Sequence, residues 1–116
     1  KGIYYSDGRK SDNPERNYGT GGSLQGRNYM LTTSWNAPET AFTLENEFFN
    51  QTSVDDGVMF GFHRMNAFTG MEKMDSFHFH DLEKNGSPER IENYRQNYLT
   101  HLDNAFTNAL KPETVL

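Results

Sequence analysis

Apolar side chains recur at helical spacing in two stretches of this chain and alternate with polar ones in two others. The strongest helical pattern lies near the C-terminus. Ile91, Tyr94, Tyr98, Leu102 and Ala105 follow at three- and four-residue steps, with Leu99 and Phe106 widening the stripe. Ser87 is suited to the N-cap and Pro88 to the first helical position, where its missing N–H costs nothing. A helix is therefore predicted over residues 88–109, stopped by Lys111-Pro112-Glu113. The second pattern is Val58, Met59, Phe62, Met65 and Phe68. It starts at Asp55 or Asp56, which offer an N-cap and negative charge at the positive end of the helix dipole, and it ends at Gly70 as a C′ glycine.

Two strands are predicted. Asn28 to Trp35 is a short run rich in aromatic and Thr residues that stops before Pro38. In Asp75 to Leu82, Phe77, Phe79 and Asp81 alternate with Ser76, His78 and His80. Residues 41–50 carry Phe42, Phe48 and Phe49 among acids and read as one or two helical turns. Residues 1–27 hold six of the ten glycines and many turn residues, so they are expected to form a long functional loop or part of an interface. The order over 28–110, strand–helix–strand–helix, predicts an α/β layer fold with parallel strands. Two strands alone cannot build a parallel sheet buried on both faces. The chain, which does not open on Met, is thus expected to be the C-terminal part of a single domain.

Composition narrows the classes. With 116 residues the chain supplies one domain at most. Leu, Ile, Val and Phe together number 22, close to the level of disordered chains, but 16 aromatic residues and a modest net charge favour a globular piece with a thin core. A net charge of −5 and a pI near 5.3 argue against a nucleic-acid partner. No run of 18 apolar residues is present, so no membrane span is predicted, and Lys1-Gly2-Ile3-Tyr4-Tyr5 does not read as a signal peptide. Zero cysteines exclude disulfides, thiolate catalysis and Cys-ligated metals, and make a cytoplasmic setting the default.

Candidate chemistry is sparse. Gly19-Thr20-Gly21-Gly22 meets neither the P-loop nor the dinucleotide pattern and reads as a flexible turn. His78 and His80 share one strand face about 7 Å apart, but a closed metal site needs three or four ligands, so no metal is assigned. His63 is expected to face solvent or cap its helix, and His101 to be exposed. No catalytic residue is assigned. Thr33-Ser34-Trp35-Asn36-Ala37-Pro38 is the most informative segment, because it lies at the C-terminal end of a strand, where open α/β sheets bind ligands. It offers backbone N–H groups, an aromatic ring and an amide. Those parts suit a planar hydrogen-bonding heterocycle, although on spacing alone a strand-to-loop transition with one core Trp is the better reading.

Rare residues in fixed order add a resemblance. Tyr4-Tyr5-Ser6-Asp7-Gly8-Arg9, Tyr18-Gly19-Thr20-Gly21-Gly22, Leu24-Gln25-Gly26, Tyr29-Met30-Leu31, Trp35-Asn36-Ala37-Pro38, Phe48-Phe49, Asp56-Gly57-Val58, Phe62-His63, Asn66-Ala67-Phe68 and Gly70-Met71-Glu72 closely resemble the modulator of drug activity B family. The match covers roughly residues 2–82, with Glu47 where that family carries Gln and Ser34 where it carries Thr. The resemblance implies the C-terminal half of a flavodoxin-like three-layer fold with a parallel sheet. It implies a homodimeric NAD(P)H:quinone oxidoreductase that binds FAD rather than FMN, uses NADPH as cosubstrate and reduces quinones by two electrons. Ser34, Trp35, Asn36 and Ala37 would lie against the isoalloxazine, and Tyr18 would contact FAD. The family's phosphate-binding segments would precede Lys1, so this piece alone is expected to hold FAD weakly and to be inactive. The loop over 1–27 is expected to meet a second subunit, with Tyr4 or Tyr5 closing the partner's quinone pocket. Two alternatives remain at this point: a non-enzymatic interaction module, and a regulatory protein that binds flavin without turning over quinone.

Overall fold

The computed structural model describes residues 6–110, so Tyr4 and Tyr5 lie outside the described residues. The chain divides into two compact units: residues 1–30 with 54–74, and residues 31–53 with 75–116. Each unit is built on one parallel pair of strands.

In the first unit, β1 (Asn28–Tyr29) pairs with β3 (Glu72–Lys73), with Asn28 opposite Glu72 and Tyr29 opposite Lys73. Helix α2 (Phe60–Phe68) packs on β3. It begins later than its apolar pattern suggests. The Asp55 carboxylate does not cap it but pairs with His63, and Met59 occupies the N-cap with no side-chain bond. The C-terminus follows the sequence closely. Gly70 adopts φ 103°, its N–H donates to Ala67 O and the Met71 N–H to Asn66 O, which is a Schellman ending. Gly22 is buried against that ending, where a Cβ would strike the Thr69 and Gly70 backbone, while the Leu24 N–H donates to Thr69 O. Close backbone approach is thus what fixes glycine at position 22. Residues 6–27 contain no helix or named strand, and an isolated antiparallel bridge joins Lys10 to Asn13.

In the second unit, β2 (Thr32–Trp35) pairs with β4 (Phe77–His80) in a register that sets Thr32, Thr33, Ser34 and Trp35 opposite Phe77, His78, Phe79 and His80. The two-residue period then sorts the side chains. On one face Phe77 and Phe79 meet Tyr94 and Tyr98 of α4 (Pro88–Leu110), with ring centroids 5.1–5.4 Å apart for Phe77–Tyr98, Phe79–Tyr94 and Phe79–Tyr98. On the other face Trp35 and His80 meet Phe42 of α1 (Thr40–Thr43) at 5.6 and 5.4 Å. Helices thus cover both faces of a parallel pair, the expected three-layer order. The Ser87 hydroxyl caps α4 by accepting the Arg90 N–H at 3.1 Å, as the sequence predicts. A short α3 (Leu82–Asn85) follows β4.

The apolar core is thin. Phe42 and Val54 are the buried hydrophobic residues among those described, whereas Ile91, Leu99 and Phe106 of the α4 stripe are about half exposed (49–51 %). Phe42 stacks on Phe49 at 4.0 Å with nearly parallel rings and is 2 % exposed. Phe42→Ala should therefore lower the unfolding free energy by about 3–5 kcal/mol, read from urea denaturation. A loss below about 1 kcal/mol would show that Phe42 is not a packing centre.

Candidate functional site

Four of the five predicted site residues lie together at the C-terminal end of β2. Ser34 and Asn36 are exposed, while Trp35 and Ala37 are half-buried. The Trp35 ring is held by two contacts: its Nε1–H donates to Thr33 Oγ1 at 2.6 Å, and it meets Phe42 in a T-shaped contact. Thr33 Oγ1 also lies 2.5 Å from His78 Nδ1. The loop backbone is fixed from β4. The Asp81 N–H donates to Trp35 O at 2.8 Å, and His80 Nδ1 lies 3.2 Å from Ala37 O. A carbonyl can only accept, so the His80 proton sits on Nδ1. His80 is itself 6 % exposed, its N–H donating to the Tyr94 hydroxyl at 3.3 Å. Among the described residues no acceptor meets the backbone N–H of Asn36 or of Ala37.

Beneath this lies one cation. Arg90 donates to Asp81 O at 2.8 Å and Asn85 O at 2.7 Å through Nη1, and to His80 O at 3.1 Å through Nη2. Asp81 takes φ 56° at this point, a left-handed conformation that Asp tolerates better than most residues. His78 and His80 stand with ring centroids 6.5 Å apart, each with Nδ1 committed to a protein oxygen.

Tyr18, the fifth predicted residue, belongs to the first unit. It is 68 % exposed and leans on Phe68 at 5.6 Å, with the Arg9 guanidinium 5.7 Å from its ring centre. Asp7 anchors that Arg9 side chain at 2.7–2.9 Å, and Arg9 holds the Asp7 carboxyl below the usual carboxylate range. The Asp7 carbonyl accepts the Gly19 and Thr20 N–H groups. The turn after Tyr18 is thereby set by Asp7.

The first unit also contains a cluster that the sequence did not reveal. His63 is 7 % exposed, not solvent-facing or capping; its Nδ1 lies 2.6 Å from the Tyr29 hydroxyl and its Nε2 2.6 Å from Asp55 Oδ1. Tyr29 and His63 line a cavity of about 570 Å³, together with Thr20, Arg64, Met71 and Lys73. Burial holds the Tyr29 phenol above its ordinary value, with Asp55 adding to the shift and Arg64 opposing it. His101, expected to be exposed, is half-buried, and its Nε2–H donates to Asp75 O at 2.8 Å.

Parallel strands with helices on both faces agree with what the comparison with known families shows. Residues 1–102 match the family described as having the flavodoxin-like fold. The chain belongs to that flavodoxin-like family. It is 45 % identical over 104 residues to the NADPH:quinone oxidoreductase MdaB of Haemophilus influenzae, which bears out the resemblance drawn from the motifs. It is 38 % identical over 107 residues to an uncharacterised protein of Schizosaccharomyces pombe. These alignments cover 90 % and 92 % of this chain but 52 % and 53 % of the relatives, so the chain spans about half the length of the curated relatives it matches.

Among the flavodoxin-like features, the loop support was hidden in the sequence. His80 and Arg90 are separated from the loop by more than forty residues, and nothing in their spacing marks them. The register of β2 on β4 is the only signal that could have found His80. Arg90→Ala should cost about 2–3 kcal/mol in urea unfolding, since three carbonyls lose a charged donor. Arg90→Lys should restore only part, because an ammonium cannot span the same fork. An Arg90→Ala variant as stable as the parent would refute this role.

Proposed function

We propose that the whole protein is a flavin-dependent NAD(P)H:quinone oxidoreductase that binds FAD against the Ser34–Ala37 loop and works as a homodimer. The observation that carries this reading is the pair of unmatched backbone N–H groups at Asn36 and Ala37, held at the end of β2 by contacts from β4. Such donors fit the polar edge of a flavin ring, and the half-buried Trp35 offers it an apolar wall. The name of the Haemophilus influenzae relative supports the quinone reductase class.

When bound, FAD would supply the redox chemistry, hydride acceptance and two-electron reduction of a quinone with NADPH as cosubstrate. This chain's residues bind and orient. The Asn36 and Ala37 N–H groups would hold the ring edge and offer fixed dipoles to negative charge developing there, with no reorganisation at the moment of reaction. His80 holds the Ala37 carbonyl through Nδ1 and so fixes the orientation of the Ala37–Pro38 peptide. Thr33 keeps the Trp35 indole from swinging away. Ser34 adds a hydroxyl on the opposite, exposed side of the strand.

Trp35→Ala in the whole protein should raise the FAD Kd by about three- to tenfold, an aromatic contact of this kind being worth about 0.5–1.5 kcal/mol beyond its area. Flavin absorbance after dialysis reads the loss, and NADPH oxidation with a panel of quinones reads the activity. Full flavin retention in Trp35→Ala would contradict the placement. A yellow protein that oxidises no NADPH with any quinone would contradict the reaction.

A further inference from the structure

The cavity of the first unit is lined by none of the residues Ser34–Ala37 and has its own chemistry. Asp55 can only accept, so in the neutral imidazole the His63 proton lies on Nε2 and the Tyr29 hydroxyl donates to the bare Nδ1. The phenolic oxygen therefore keeps its lone pairs for another donor, and burial keeps Tyr29 protonated in this role. Tyr29 is locked in place, since its ring also meets Phe62 edge-on at 6.0 Å and its carbonyl accepts the Met74 N–H. Among the lining residues Tyr29 thus offers a fixed hydroxyl acceptor.

The same wall presents positive charge. Arg64 and Lys73 line the cavity, and among the described residues neither has an ion-pair partner. Glu72 is the single lining anion, which leaves an excess of one positive charge in a chain of net charge −5. Ala67, Met71 and the Tyr29 ring supply an apolar wall between these polar groups. The volume, about 570 Å³, is that of a small-molecule site.

We propose that this cavity is a binding site for a small hydroxyaromatic carboxylate, whose hydroxyl donates to Tyr29 and whose carboxylate is met by Arg64 and Lys73. Recognition of the hydroxyl is sharp because Tyr29 is turned by His63 and Asp55 to accept it. The site needs no flavin, and the proposal stands or falls apart from the redox reading.

The test is calorimetric titration of the flavin-free whole protein with 4-hydroxybenzoate, benzoate and phenol. 4-Hydroxybenzoate should bind about tenfold tighter than benzoate, the size of one well-made hydrogen bond to a fixed partner. Tyr29→Phe should bring the two carboxylates to equal affinity. Arg64→Gln, an exposed change that leaves the packing alone, should weaken both carboxylates by a similar factor and leave phenol unchanged. Failure of 4-hydroxybenzoate to saturate the parent at millimolar concentration would overturn the proposal. So would Tyr29→Phe that still prefers the hydroxylated ligand, or Arg64→Gln with undiminished affinity for both acids.

Discussion

The Arg90 guanidinium is the contact on which the second unit depends. It gathers the carbonyls of His80, Asp81 and Asn85, three acceptors that converge where β4 ends and the chain turns into α3. Capturing them lets Asp81 hold its left-handed turn and lets its N–H reach Trp35 O. The same capture fixes the His80 backbone, and the His80 ring then fixes Ala37. A charge on one helix is thereby transmitted through hydrogen bonds to a loop on the neighbouring strand. Such bonds to an ionised donor are about twice as strong as neutral ones.

This arrangement answers a shortage of aliphatic residues. With 22 Leu, Ile, Val and Phe in 116 residues, the chain lacks the side chains for a Val-rich sheet interior. Aromatic rings and imidazoles stand in for them. Phe77 and Phe79 carry one face of β4, and His78 and His80 the other. An imidazole is tolerable in such a place only when its nitrogens find partners, since an unmatched buried polar group costs more than a hydrogen bond gains. Thr33, Ala37 O, Tyr29 and Asp55 supply those partners. The polar groups also specify geometry, because each ring is held by direction as well as by contact.

Much of the fold was legible in local signals. Ser87 as cap, Gly70 as terminator and the alternation around Phe77–His80 are short-range chemistry, and the structure keeps all three. The predicted first strand is divided into β1 and β2, which pair with different partners, because the polar–apolar pattern carries no record of register. The α2 start was misread for a related reason. Asp55 has the chemistry of an N-cap, but His63 claims its carboxylate from eight residues away and the helix begins at Phe60. His63 itself reads as a polar residue on an apolar helix, and its burial depends on Tyr29, which the sequence places 34 residues earlier. In the second unit the site loop was legible as a strand end, while the residues that hold it were not.

In the proposed function, the Asn36 and Ala37 N–H groups, unmatched among the described residues, are taken by a flavin. Amide hydrogen exchange of these two residues in the whole protein, followed by NMR with and without FAD, tests this most directly. Both amides should exchange freely without FAD and become strongly protected, with downfield proton shifts, when it binds. Saturation with FAD that leaves the exchange and shifts of both amides unchanged would contradict the account.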